Sequence, residues 1–302
     1  MKLGLLLPLF SGDPRRVREA GIEAEELGFD GAFAFDHLFP PWADVSRPSI
    51  EVFTTLSLVA EATTRLALGT LVARVTLRSP AMLAKHAAAV DQISGGRLIL
   101  ALGTGDAGRD PEAETFGFAS PPASERRELL EETVGACRHL FSGEPWPGGD
   151  RVPPMQGPLV PPTVTPGGPP IWIGGTAPAA IRLAARVADA WNGWGLDLEG
   201  FRERVDRLRA AGVQAGRDVP PTWAGLALVG RDDDELARLA IEREERGAPG
   251  QGVWKGTAEG FGAHLRGIAE TGATWAIVMA AGPADRVSVI AETARAAGVL
   301  AG

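Results

Sequence analysis

The chain has 302 residues, a formal net charge of −8, 45% apolar and 23% charged residues. These values suit a globular domain in water, and they offer neither a basic footprint for nucleic acid nor a polybasic patch for a membrane surface. A single cysteine, Cys137, excludes an intramolecular disulfide and a cysteine metal cluster, and no apolar run approaches the roughly 18–20 residues that span a bilayer. A cytoplasmic protein is the expectation.

Strand and helix patterns alternate along the whole chain. The opening Met1–Pro8 superficially resembles a signal peptide, but its apolar stretch is short and no small-residue cleavage site follows, so it reads as a first buried strand near 2–9. Asp13-Pro14 opens a helix as cap and first-turn proline, Val17, Ala20, Ala24 and Leu27 recur at helical spacing, and Gly28 stops it. A second strand runs through 31–37 and ends in Asp36-His37. A helix near 50–63 and a strand at 66–72 follow, then a helix opened by Ser79-Pro80 and closed by Gly95-Gly96, then a strand at 97–103.

Beyond a long loop at 104–121, a helix is expected near 124–141, and 142–169 is rich in proline and glycine and reads as an irregular insertion. The remaining strands are expected near 170–175, 188–191, 222–229 and 274–279. Helices are expected near 178–187, 198–211, 232–246, 257–271 and 284–297, with a glycine-rich piece at 247–256. Eight strands alternating with helices predict a (β/α)₈ TIM barrel spanning residues 1–302 as a single domain, with loop insertions at its C-terminal face. A doubly wound sheet is the competing arrangement; no break in composition divides the chain into two folding units, which favours the barrel.

Three apolar runs end in Gly-Thr or Gly-Gly-Thr, at Gly69-Thr70, Gly103-Thr104 and Gly174-Gly175-Thr176. In a parallel β/α array all strand C-termini share one face, and ligands bind there. Glycine at a strand end lets a ligand approach the backbone, although ordinary turn chemistry also places glycine at such corners. Gly103–Gly108 spells Gly-x-Gly-x-x-Gly, but it follows the fourth strand and runs into a loop rather than a helix, which argues against a dinucleotide fold. The helix that starts after Gly174-Gly175-Thr176 presents free N–H groups suited to a phosphate.

Of four histidines, only His37 sits where a strand meets a loop on the expected functional face. It is the candidate acid or base, with Asp36 placed to orient it or to cap the next segment. The scarcity of histidine, with no His-x-His and no His-Glu-x-x-His, leaves no His-rich metal site to propose. Trp42, Trp172, Trp191 and Trp194 are candidates for an aromatic pocket, and Arg74, Arg78 and Arg109 for an anionic tail, with core packing and solvation as the plain alternatives.

These residues together resemble the bacterial luciferase-like superfamily of flavin and deazaflavin oxidoreductases. The resemblance rests on Gly69–Val72, Arg78-Ser79-Pro80, Leu83-Ala84-Lys85, Asp91–Arg97 and Gly103-Thr104-Gly105, on Pro169–Gly175 with Ala184–Asn192, and on Asp36-His37. It implies a (β/α)₈ barrel with the coenzyme ring at its C-terminal mouth and a non-prolyl cis peptide at Thr70-Leu71. It further implies the F420-dependent branch, with hydride transfer between the deazaflavin and a small organic substrate. His37 and Asp106 would then be catalytic; Asp106 stands where some members carry Glu. The coenzyme would be held by Asp36, His37, Thr70, Leu71, Val72, Gly103, Thr104, Gly105, Asp106, Gly174, Gly175 and Thr176, its phosphate on the last three. Trp42, Trp191 and Trp194 would line the substrate pocket, and the insertions 104–124 and 142–169 would form its lid. FMN with oxygen, as a monooxygenase, is the alternative cofactor reading. A coenzyme-binding protein without catalysis is a further alternative, and a flavin-independent barrel hydrolase is disfavoured for want of metal ligands. Family members are commonly dimers, so a homodimer is implied as well.

Overall fold

A computed structural model describes residues 1–41, 45–105, 110–245 and 252–300. The eight expected strands are present: β1 (Lys2–Leu6), β2 (Gly31–Ala34), β3 (Ala67–Thr70), β5 (Leu98–Gly103), β6 (Ile171–Gly174), β7 (Ala190–Trp194), β8 (Pro221–Gly230) and β10 (Trp275–Ala280). They pair in parallel in this order, and β10 pairs with both β1 and β8, which closes the barrel. Two short strands were not foreseen. β4 (Ala73–Arg74) pairs with the end of β5, and β9 (Val253–Thr257) extends β8 beyond the barrel, from the stretch taken as a glycine-rich insertion. A tall C-terminal half of β8 explains β9: Leu226–Gly230 outruns β7 and needs a partner for its backbone groups.

The surrounding helices are α1 (Pro14–Glu26), α2 (Val52–Ala62), α3 (Pro80–Ser94), α5 (Ala123–Ser142), α6 (Pro178–Val187), α7 (Leu198–Ala215), α8 (Asp233–Glu245), α9 (Ala258–Glu270) and α10 (Arg286–Ala296). Their ends follow local chemistry. Asp13 accepts from the Arg15 N–H ahead of Pro14, Ser79 from Met82 ahead of Pro80, and Gly95 closes α3 at φ +67°. The loop expected at 104–121 contains one further short helix, α4 (Pro111–Phe116), capped by Asp110 and opened by Pro111.

The barrel interior is plugged by aromatic rings. Phe33 stacks on Trp172 at 5.8 Å and meets Trp275 edge-on at 5.3 Å. The room comes from glycine: a Cβ on Gly69 would lie 2.2 Å from the Phe33 ring, and one on Gly4 2.8 Å from it. The strand end at Gly69 is therefore small to admit Phe33, and a ligand has no part in it.

The insertion 142–169, expected as part of a lid, follows α5 and lies against α3 and α5. Thr165 is held by Asp91 of α3 at 2.8 and 2.9 Å, and the amides of Asp150, Arg151 and Val152 by Glu132 of α5 at 2.7–3.0 Å.

Candidate active site

A cavity of about 360 Å³ opens at the C-terminal ends of the strands. Phe35, Asp36 and His37 enter it from beyond β2, which stops at Ala34, Leu71 and Val72 from the turn between β3 and β4, and Arg74 from β4. Gly103, Thr104 and Gly105 reach it from β5, Gly174 to Ala177 from the start of α6, Asn192 and Trp194 from β7, and Arg126 and Arg127 from α5.

Val72 forms the floor where two strand ends are cut back for it. A Cβ on Gly103 would lie 2.4 Å from one Val72 methyl, and a Cβ on Gly174 2.7 Å from the other. The non-prolyl cis peptide lies at Leu71-Val72, one residue beyond the expected Thr70-Leu71. Thr70, expected to touch a coenzyme, is fully buried and gives its hydroxyl to the Ala101 carbonyl at 2.6 Å, so it belongs to the barrel wall.

At the other end of the cavity α6 begins with Ala177 and Pro178, and no side chain caps it. Ala177 has nothing to offer the orphan N–H groups of the first turn, unlike the capped starts of α1 and α3. Gly175, at φ +130°, turns the chain into this helix, and its carbonyl accepts the Trp191 indole N–H at 2.7 Å. That bond corrects the placement of Trp191: it is fully buried, stacks on Phe201 at 5.8 Å and does not line the cavity. Trp194 does line it, edge-on to Phe35 at 5.1 Å.

His37 packs against the stacked pair Phe10 and Phe35, and its Nδ1 lies 2.9 Å from Glu112 Oε2. Glu112, in the first turn of α4, was not singled out in the sequence. Its other oxygen accepts the amides of Leu38 and Phe39, and Arg74 donates to the carboxylate from one arm and to Asp110, at 2.6 Å, from the other. Burial pushes the Glu112 carboxyl up, but the contacts with His37, the Leu38 amide and the Arg74 cation outweigh it and hold the group below the usual carboxylate range.

Asp36 does not orient His37. Both its oxygens bind Arg78, at 2.6 and 2.9 Å, and one also accepts the Arg74 amide at 2.8 Å. Arg78 reaches Glu51 as well, at 2.8 Å. Arg74 and Arg78, candidates for an anionic tail, are thus already engaged by carboxylates. Trp42, Asp106 and Arg109 lie outside the described residues.

A family model described as luciferase-like monooxygenase matches residues 1–297. The chain belongs to this family. Within the luciferase-like proteins, the F420-dependent glucose-6-phosphate dehydrogenase of Microbacterium testaceum is 29% identical over 75% of this chain and 62% of its own length. The F420-dependent hydroxymycolic acid dehydrogenase of Mycobacterium tuberculosis is 34% identical over 72% of this chain. The chain spans about three-fifths of the length of these curated relatives, 62% and 59% respectively. Among solved structures, an F420-dependent secondary alcohol dehydrogenase in complex with an F420-acetone adduct shares the fold with a TM-score of 0.84 and 19% identity, over 98% of both chains.

Proposed function

We propose that this luciferase-like protein is an F420-dependent oxidoreductase acting between a small organic alcohol and its carbonyl partner, with His37 as the proton group. One observation carries the reading. A single cavity joins an uncapped helix start, a floor relieved by two glycines, and a histidine with one ring nitrogen tied to a carboxylate. The names of the relatives supply the coenzyme class.

The residues fit such a coenzyme. The free N–H groups of the first turn of α6, with Gly174, Gly175 and Thr176, would take its phosphate. Val72, backed by Gly103 and Gly174, would support its planar ring. When bound, the deazaflavin takes up or gives a hydride at one ring carbon. The protein's own task is the proton. As a hydroxyl carbon loses hydride and becomes a carbonyl, the O–H bond breaks and His37 Nε2 accepts that proton; in reduction it returns it. Phe10 and Phe35 pack beside His37, and Trp194 packs on Phe35. A cytoplasmic location and a homodimer belong to the same proposal; among the described residues no helix is long and apolar enough to cross a membrane.

The test is a fluorescence titration of the purified protein with F420 and with FMN, each oxidised and reduced. Saturable binding of F420 in preference to FMN is the expected result. Preference for reduced FMN would turn the reading to an oxygen-using monooxygenase, and binding of neither would overturn it.

A further inference from the structure

We infer that Glu112 is the positioning residue of His37: it fixes the neutral imidazole with its proton on Nδ1 and leaves Nε2 bare toward the cavity. The inference deepens the proposed function by naming what would make His37 competent.

Geometry carries it. The Nδ1 to Oε2 distance of 2.9 Å is that of a hydrogen bond, and an ionised carboxylate can only accept, so the proton on that line belongs to His37. The carboxylate is itself immobilised. Glu112 is 4% exposed, its second oxygen is taken by the Leu38 and Phe39 amides, and Arg74 holds it from the side. Because Leu38 and Phe39 follow His37 in the chain, one carboxylate fixes both the ring and the backbone that carries it. No hydrogen-bond partner engages Nε2 among the described residues.

Charged groups flank His37 on two sides. From α4 it faces Glu112, and behind that carboxylate Arg74 is shared between Glu112 and Asp110, so one guanidinium meets two carboxylates. One negative charge is left over beside the imidazole. From the side of α3, Asp36 and Arg78 neutralise each other, with Glu51 beyond them. Phe10 and Phe35 contribute rings and no charge. An imidazolium formed by taking up a substrate proton is therefore balanced where it stands.

The alternative is that Glu112 only anchors the 38–39 backbone. Long-range ¹H–¹⁵N NMR of the full chain without coenzyme separates the two. The chain has four histidines, and His37 is assigned by the loss of its signals in His37→Gln. In the wild type, the neutral His37 ring is expected with Nδ1 protonated and Nε2 bare. In Glu112→Gln, the neutral His37 ring is expected to lose that preference and to populate the Nε2-protonated form as well, while the other three histidines keep their tautomers. A neutral wild-type ring protonated on Nε2, or a tautomer unmoved by Glu112→Gln, overturns the inference. The wild-type tautomer decides it even if the variant does not fold. Since no coenzyme is present, failure of the F420 titration would count against the proposed function and leave this result standing.

Discussion

Val72 owes its place to two glycines, and that dependence can be tested directly. In Gly103→Ala the new Cβ would sit 2.4 Å from a Val72 methyl, closer than packed carbons allow, so Val72 must move off the floor and into the cavity. Overpacking of this kind costs about 1–3 kcal/mol. Chemical denaturation should show that loss, Val72→Ala in the same chain should recover most of it, and F420 affinity should fall tenfold or more in the single variant. Full affinity in Gly103→Ala would mean that nothing rests on Val72. Two of the three glycine-ended strands thus do border the cavity, and both are cut back for Val72, the last residue of the Gly69–Val72 run. The third, at Gly69, serves the Phe33 ring. Residue type at a strand end was legible in the sequence; which neighbour required the small residue was not, because that neighbour lies on another strand.

The elements themselves were largely readable. Pro178 at a helix start and an unbroken apolar period gave α6 as 178–187, the span observed. Misjudged segments share a cause. The short helix α4 lies in a loop whose composition looks irregular, and its Glu112 resembles any first-turn acid until folding brings it to His37, 75 residues away. Trp191 sits in a strand whose alternate residues face opposite sides, and its period does not say which side is the cavity. His264, in the helical pattern of α9, is a packing residue: it is buried among Trp223, Trp254 and Phe261, and β9 supplies Trp254. Burial pushes its pKa down to about 4, against a partial upward pull from Asp197. The folded value is below the ordinary 6.5, so the unfolded chain binds the proton more readily. His264 therefore leaves stability intact above about pH 6.5 and erodes it as pH falls toward 4, by about 3 kcal/mol in all. In His264→Leu that part of the acid sensitivity should vanish, as read by chemical denaturation at pH 7 and 4.5. An equal pH dependence in both proteins would contradict the burial account.

At the scale of the whole molecule, the closed barrel depends on β10 bridging β1 and β8, and an ion-pair cluster braces the C-terminal side of that seam. Arg286, at the start of α10 and 1% exposed, donates to both oxygens of Glu235 on α8, at 3.0 and 3.1 Å, and to the Val229 carbonyl of β8 at 3.0 Å. Asp285 and Arg231 complete the cluster. One guanidinium thus ties α10 to the end of β8 and the start of α8, some fifty residues earlier in the chain, and a buried cation stripped of its carboxylate is expensive. The same contacts, chiefly the Arg286 hydrogen bonds, hold the Glu235 carboxyl down at about 2. Its folded value is below its ordinary 4.5, so its contribution is present in full above about pH 4.5 and disappears as pH falls toward 2. Glu235→Gln should lower stability at pH 7 by about 2 kcal/mol. The gap between the two proteins should close as pH falls from 4.5 to 2, in a window below the one assigned to His264. Denaturation curves for both proteins across that range would show it. A gap that stays constant with pH would assign the loss to packing and take the charge out of the account. Because the cluster does not touch the cavity, F420 affinity should be unchanged in the variant, which would separate the forces that close the barrel from those that build its site.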